Sequence, residues 1–298
     1  MAIHLEEPNV LVLDQAQYAL DGEPWQMSEE LLRVDNIARL RLNRPQRMGH
    51  FAQPWVTKND DPEWGTHTLA LRFFLDLRTP VSGAHLALEE SGHAVISLDG
   101  DLLPTKSDGW YVDHAIHTIP LPPMEKGVHA LTVTYDYGRP LNIENLFLLG
   151  DFGVTVEGSM AHVTALPKRI AYGDITRQSL PFYGGNLTYE IPVQAGENGL
   201  KLKIPQYRGA VVDVALDGVF AGKIAYAPYE CVIPCAPGEH RLQITVYGNR
   251  VNTFNALHNC NDANTWYGPD SWRSTGDEWC YEYRLKPCGL LIAPMLYV

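Results

Sequence analysis

Long apolar runs are missing from this chain. Nothing in its 298 residues approaches the length of a membrane span. Basic charge is also scarce. The 23 Lys and Arg face 35 Asp and Glu, a formal net charge of −12 and a pI near 5.3. That balance disfavours nucleic acid and anionic membrane as partners and suits a neutral or cationic ligand. The opening residues 1–14, MAIHLEEPNVLVLD, have neither the basic start nor the apolar core of a secretion signal. They run from Leu-Glu-Glu-Pro straight into a strand, as an excised part of a larger protein would.

Cysteine is sparse, odd in number and confined to one half. The five are Cys231, Cys235, Cys260, Cys280 and Cys288. No C-x-x-C occurs, and a zinc site would have to converge from Cys260, Cys280 and His258, so no metal ligand is assigned. An odd, sparse set favours a soluble protein of a reducing compartment such as a bacterial cytoplasm, with a Cys260–Cys280 bridge as the one pairing left open. The G-x-S-x-G elbow and the phosphate-binding glycine motifs are absent too. Paired carboxylates do exist, at Asp60/Asp61, Glu89/Glu90 and Asp99 with Asp101. Adjacent strand residues point to opposite faces, so Glu89 and Glu90 cannot act together across a cleft. Asp99-Gly100-Asp101 could hold a structural calcium, although Leu-Asp-Gly is an ordinary hairpin turn. No catalytic residue and no cofactor follows from these patterns.

Turn residues, in contrast, are plentiful. With 25 Gly and 21 Pro, most of the chain is cut into short segments. Two stretches share one order. The first runs RFFLDL (residues 72–77), AVISLDG (94–100) and GVHALTVTYDYG (127–138). The second runs TYEIPV (188–193), VDVALDG (212–218) and GEHRLQITVYGN (238–249). Each has an alternating strand, a strand ending in Leu-Asp-Gly, then Gly-x-His before a strand of alternating apolar residues. Leu131, Val133 and Tyr135 should point inward in one copy, and Leu242, Ile244 and Val246 in the other. Ile96 and Leu98 should occupy the places of Val214 and Leu216, and His129 and His240 should be structural.

The expected fold is therefore all-β: two tandem antiparallel β-sandwich domains, residues 1–153 and 154–298, packed together without a linker. Strands are expected at 9–20, 67–77, 84–89, 93–98, 114–120, 129–135 and 145–152. In the second half they fall at 168–172, 187–193, 199–204, 210–216, 230–233, 241–246 and 281–297. One short helix is predicted near the N-terminus, over about residues 29–42. Ser28 would be its cap, with Leu31, Val34, Ile37 and Ala38 against the first sandwich.

The stretches APGEHRLQITVYGNRVNTFNALH (236–258) and GLLIAPMLYV (289–298) resemble the galactose-binding-like jelly-roll domains that accompany bacterial glycoside hydrolases. The sugar-binding domains of glycoside hydrolase family 2 and the C-terminal sandwiches of α-L-rhamnosidase-like enzymes are the nearest in kind. The segments NIENLFLLGDFGV (142–154), EPNVLVLD (7–14) and Gln53-Pro54-Trp55 are similar to parts of large clostridial proteins of this kind. The resemblance implies a non-catalytic, carbohydrate-binding or accessory region, with a catalytic domain elsewhere in a parent protein.

Residues 252–279 form the candidate ligand loop. It mixes Trp266, Tyr267 and Trp272 with Asn261, Asp262, Asn264 and Arg273. Sugars need such a mixture, because flat rings take the apolar face of a pyranose while amides, carboxylates and Arg meet its hydroxyls. The competing reading is that these rings pack the loop onto the protein. Trp55 and Trp64 in residues 49–67, with Trp110 and Tyr111, form the candidate surface of the first half, and domain–domain packing is the favoured role for them. Three functions remain open: a sugar-binding module, a domain pair that docks onto a catalytic domain, and a small hydrolase with its site between the sandwiches.

Overall fold

The computed structural model describes residues 1–46, 65–141, 143–261, 263 and 276–298. The chain is mostly β, with 46% strand and 9% helix. In the first sandwich one sheet runs in the order Asn9–Leu13, Leu146–Gly150, His85–Leu88, Asp113–Pro120, Gly109–Tyr111. The facing sheet is built on His67–Leu77 and Gly127–Tyr137, paired antiparallel along their whole length. Ala94–Leu98 and Asp101–Leu102 extend it on one side. Gln15–Leu20 and the hairpin of Gly153–Glu157 with Met160–Thr164 extend it on the other. Every second residue of the two central strands, from Leu69 to Leu77 and from Leu131 to Tyr137, is buried between the sheets. That is the period-2 pattern of a half-buried strand.

The second sandwich has the sheet order Ala2–Leu5, Leu187–Ala195, Gly238–Val246, Val212–Leu216, Val219–Ile224. Glu230–Ile233, Leu200–Lys203 and Met295–Tyr297 form a sheet of their own. Leu242, Ile244 and Val246 enter this core with Val214 and Leu216.

One turn occurs in both halves, atom for atom. Asp99 and Asp217 both sit at positive φ, 52° and 54°, with Gly100 and Gly218 following at 93° and 82°. Two successive positive φ values make the tight hairpin for which Asp-Gly is suited. The Asp99 carboxylate meets His129 Nδ1 at 2.6 Å and accepts from the Ala130 amide at 2.8 Å. The Asp217 carboxylate meets His240 Nδ1 at 2.7 Å and accepts from the Arg241 amide at 2.8 Å. Both oxygens of Asp99 are thus engaged within the turn. Ile96 pairs with Val133 as Val214 pairs with Ile244, and Leu98 with Leu131 as Leu216 with Leu242.

The order of the chain crosses between the sandwiches. The first strand, Ala2–Leu5, hydrogen-bonds to Leu187–Ala195, and Ile3 and Leu5 pack on the second core. Residues 153–164, which follow the position expected to open the second domain, pair instead with the first sandwich through His67–Leu77. Leu257 is part of the first core, and Phe254, Tyr283 and Leu285 pack against it. A bidentate Arg250–Glu7 ion pair, with both contacts at 2.6 Å, ties the two exchanges together.

Several expectations need correction. Residues 9–20 are two strands on opposite sheets, broken at Asp14. Residues 168–172 form no strand; Arg169 and Ile170 make bonds to the N-terminus without a continuous ladder. Residues 281–297 hold only Gly289–Leu290 and Met295–Tyr297 as strands, because Pro287 and Pro294 lack the donor that a ladder needs. The helix, α1, spans Leu31–Arg41 and is capped by Glu30, not Ser28. Glu29–Glu30 is held as a strand by Gln15 and Ala16, so the helix cannot begin earlier. A second short helix, α2, spans Val251–Phe254.

The buried face of α1 also differs from expectation. Leu31, Val34 and Ala38 are buried, but Ile37 is only half-buried, and Asp35 and Arg39 take its place. Asp35 Oδ2 accepts from Arg39 Nε at 2.8 Å, and Oδ1 accepts from Tyr137 Oη at 2.8 Å. Arg39 also donates to the Leu141 carbonyl at 2.9 Å. The pair fills its bonds within the protein, which is the condition for a buried ion pair to be tolerated. Asp35→Ala and Arg39→Ala should each destabilise by about 3–5 kcal/mol, since each strands the other charge. In urea unfolding, the double variant should fall well short of the sum.

Candidate functional site

A cavity of about 380 Å³ opens at one end of the first sandwich. Its walls come from connections that the sheets bring together. Asp14 ends one strand of the first sheet, Glu30 caps α1, and Glu89 follows His85–Leu88. Asp113 starts the strand Asp113–Pro120, while Glu144 and Asn145 precede Leu146–Gly150. The remaining wall is the segment 254–258 with Trp279, which the second half of the chain lays over the first core.

The floor is apolar and aromatic. Phe147 and Phe254 lie 5.0 Å apart, and Tyr111 packs behind them at 5.5 and 6.1 Å. Val112, Ile116, Leu32 and Leu257 complete the apolar lining. The polar lining is acidic: Asp14 and Glu30 are buried in the wall, and Glu89, Asp113 and Glu144 stand nearer the surface with the amides of Asn145 and Asn255. No lysine or arginine is among the described lining residues. His258 is the one basic group among the described lining residues, and it is committed to Asp14 of the same wall.

His258 and Asp14 form a buried pair, 5% and 2% exposed at the side chain, with Nε2 2.9 Å from Oδ2. The Tyr283 hydroxyl donates to the other Asp14 oxygen at 2.7 Å. The ring's Nδ1 faces the Glu282 carbonyl at 3.3 Å. A carboxylate and a carbonyl only accept, so the imidazole satisfies both by carrying two protons. Burial works against the imidazolium, but the bond and charge of Asp14 outweigh it and raise the His258 pKa above its ordinary value. The Tyr283 phenol is driven well above its usual range by burial and by Asp14.

Glu30 has a strongly shifted carboxyl. Burial first, and then the Asp14 charge, push its pKa up to about 7, against the pull of the Arg33 and Leu32 amides and His258. Glu30 Oε2 accepts from the Arg33 amide at 3.0 Å as the helix cap. Glu30 therefore exchanges a proton near neutral pH while lining an aromatic-floored cavity. Functional sites often show this combination.

Trp279 has its ring 4.3 Å from the Arg33 guanidinium and 4.4 Å from the ring of Tyr281. An antiparallel bridge between Asn259 and Trp279 closes the base of the candidate loop. Of the loop residues singled out from the sequence, Asn261 is described. Its side chain donates to Glu278 at 3.0 Å and accepts from the Ala263 amide, so it braces the loop base. Asp262, Asn264, Trp266, Tyr267, Trp272 and Arg273 lie outside the described residues, as do Trp55 and Trp64. Trp110 is exposed and packs on His114, whereas Tyr111 is buried.

The sequence reading missed Asp14, Glu30, Asp113, Glu144 and Asn145. Only Asp14 carried a signal, as an acid that directly ends the apolar run Val10–Leu13. Among the described residues, no three His, Cys, Asp or Glu side chains are grouped to hold a metal ion. No helix of the described residues is long and apolar enough to cross a membrane.

No protein-family model and no curated protein matches the chain. Among solved structures it is similar to part of a rhamnosidase from Novosphingobium sp. PP1Y, at 15% identity and TM-score 0.30, over 88% of this chain and 26% of that one. A β-D-mannosidase from Dictyoglomus thermophilum matches at 12% identity and TM-score 0.30, over 81% of this chain and 31% of that one. A GH2 β-galacturonidase from Eisenbergiella tayi matches at 10% identity and TM-score 0.26, over 83% of this chain and 38% of that one. The chain thus spans 26–38% of the length of these proteins. Likeness at these scores carries no residue-level or functional argument.

Glu30 and His258 both hold protons more tightly in the folded protein than in the unfolded chain. Their contributions are fully present below their unfolded values, about 4.3 and 6.5, and are lost as pH rises through the folded ones. The melting temperature should therefore fall as pH rises from about 4.3 to about 7 through Glu30, and above about pH 6.5 through His258. Glu30→Gln, which keeps an acceptor for the Arg33 amide, should flatten that slope in thermal melts. An unchanged slope would show that Glu30 titrates normally.

Proposed function

We propose that this chain is a carbohydrate-binding or accessory region of a larger glycoside-hydrolase-like protein, and that the cavity between Asp14 and Asp113 receives the sugar. The observation that carries this reading is the combination of aromatic rings with carboxylates and amides in the lining of a cavity of about 380 Å³. Phe147 and Phe254 suit the C–H face of a pyranose, while Asp113, Asn145 and Asn255 suit its hydroxyls. The acidic rim favours neutral or amine-bearing sugars over uronates. The candidate loop leaves and re-enters at the Asn259–Trp279 bridge, beside the cavity wall. In this reading Trp266, Tyr267 and Trp272, with Asp262, Asn264 and Arg273, add contacts to the same ligand, and the catalytic domain belongs to the parent protein.

One observation favours a second reading. A carboxyl that holds a proton near pH 7 beside a second carboxylate is the arrangement a glycosidase uses for its general acid. If this chain hydrolyses glycosides, Glu30 donates the proton to the leaving oxygen. Aryl glycosides should then be cleaved with a rate that falls above pH 7, and Glu30→Gln should abolish turnover.

Calorimetry against neutral, amino and acidic sugars separates these readings. Binding without turnover is expected, with neutral or amino sugars giving heat and uronates none. A stacked ring is worth about 1–2 kcal/mol, roughly five- to thirty-fold in affinity. Asn255→Ala and Asp113→Asn, both on exposed positions of the rim, should weaken binding with little change in melting temperature. Alanine at Trp266, Tyr267 and Trp272 tests the loop in the same assay. If no sugar gives heat with the unmutated chain, the binding reading fails, and docking onto a catalytic domain replaces it.

A further inference from the structure

Two half-buried thiols flank the base of the candidate loop. The Asn259–Trp279 bridge places Cys260 and Cys280 one residue beyond it on each strand. The Cys260 amide donates to the Glu278 carbonyl at 2.7 Å, and the Cys280 amide to the His258 carbonyl at 3.0 Å. Residues 260, 278 and 280 consequently share one face of this two-stranded ladder, because side chains alternate along a strand. Cys260 and Cys280 lie diagonally across the Asn259–Trp279 pair on that face, close enough for the Cys260 thiol to raise the proton affinity of Cys280, with Arg284 beside both. Cys280 Sγ reaches the Glu282 carbonyl at 3.3 Å in an exposed contact, whereas the contact of Cys260 Sγ with the His258 carbonyl is partly buried. Cys231 and Cys288, in contrast, are buried in the second core.

We propose that Cys260 and Cys280 are a reactive dithiol, oxidised by low-molecular-weight disulfides to a bridge that locks one wall of the cavity. Cys280, the more open of the two, is the entry point. Its thiolate attacks one sulfur of the small disulfide, breaks that S–S bond and releases one small thiolate. Cys260, as thiolate, then attacks Cys280 Sγ in the mixed disulfide and releases the second. The two protons lost by the cysteines end on the two small thiols, and the two electrons reduce the small disulfide. The new bond closes a ring from residue 260 to residue 280. It fixes the bridge that carries Trp279 and adjoins His258, and both of these line the cavity. Burial, then the neighbouring Cys260 thiol, hold the Cys280 pKa above its ordinary value, against the pull of Arg284. Exchange should therefore quicken as pH rises past 8.

The test incubates the whole chain with oxidised glutathione, followed by intact mass and peptide mapping. The expected product is lighter by two hydrogens, with a single cross-link between Cys260 and Cys280. Its melting temperature should rise by about 5 °C, since the bridge restricts the unfolded chain. Cys260→Ser should instead keep one glutathione on Cys280, as no partner thiol displaces it. Stable glutathione on both cysteines of the unmutated chain, a cross-link through Cys235, or no reaction at either site would each overturn the proposal. A lower melting temperature in the cross-linked form would overturn the claim that the ladder is set for a bridge. The effect on ligand rests on the sugar-binding reading; the bridge does not. Sugar heats are therefore compared between the oxidised and reduced chains. A changed dissociation constant supports the locked wall, and an unchanged one overturns it. A cross-link with no sugar heat from either form leaves the dithiol standing, while the sugar reading and the locking of its site fall.

Discussion

Asp14 sits where the chain leaves one sheet of the first sandwich for the other, and its buried carboxylate has two partners from near the opposite end of the sequence. His258 and Tyr283 reach it from segments that otherwise belong with the second half. A carboxylate removed from water at this depth is costly unless its oxygens are fully engaged. Both are, so the cost becomes a constraint: the residues around 254–258 and 281–285 must lie on the first sandwich. That requirement shapes the cavity, because the segment holding His258 also supplies Phe254, Asn255 and Leu257 to its wall.

The same constraint explains why the two sandwiches are not strung end to end. The first strand, Ala2–Leu5, completes a sheet of the second sandwich, and the segment after Gly238–Val246 returns to cover the first. Arg250 and Glu7 join the two crossings by a bidentate ion pair whose planar geometry specifies direction as well as proximity. A cavity at this junction takes walls from residues 14 to 279, and its chemistry belongs to neither sandwich alone. Its acidity has a local effect as well. Glu30 shares the space with Asp14 and is buried, so it keeps its proton to about neutral pH.

Much of the β architecture was legible in the sequence, and the reason is local. Alternation in LTVTY and LQITV is dictated by which side chains must leave water, and the neighbouring sheet does not alter it. Leu-Asp-Gly followed by Gly-x-His specifies its turn through the positive φ of Asp and Gly and through a His placed to meet the Asp carboxylate. The existence of α1 was readable from its apolar spacing. Its start was not, because Glu29–Glu30 is held as strand by Gln15 and Ala16, partners distant in sequence. Its buried face was misread at Ile37 for a similar reason: Asp35 and Arg39 are admitted to the interior by Tyr137 and the Leu141 carbonyl, about a hundred residues away.

The cavity was the least legible part. Its carboxylates stand at positions 14, 30, 89, 113 and 144, with no common spacing and no motif, and each looks like an ordinary loop or cap acid in its own neighbourhood. The aromatic loop attracted attention because Trp and Asn were concentrated in it, whereas the cavity's aromatic floor is divided between Phe147 and Phe254. By itself the sequence determined that this chain builds apolar-cored β-sheets with Asp-Gly hairpins, since those depend on residues within a few positions of one another. The tertiary structure alone decided which ends cross between sandwiches and which acids face one another. Those outcomes depend on burial and on hydrogen-bond partners supplied from hundreds of residues away.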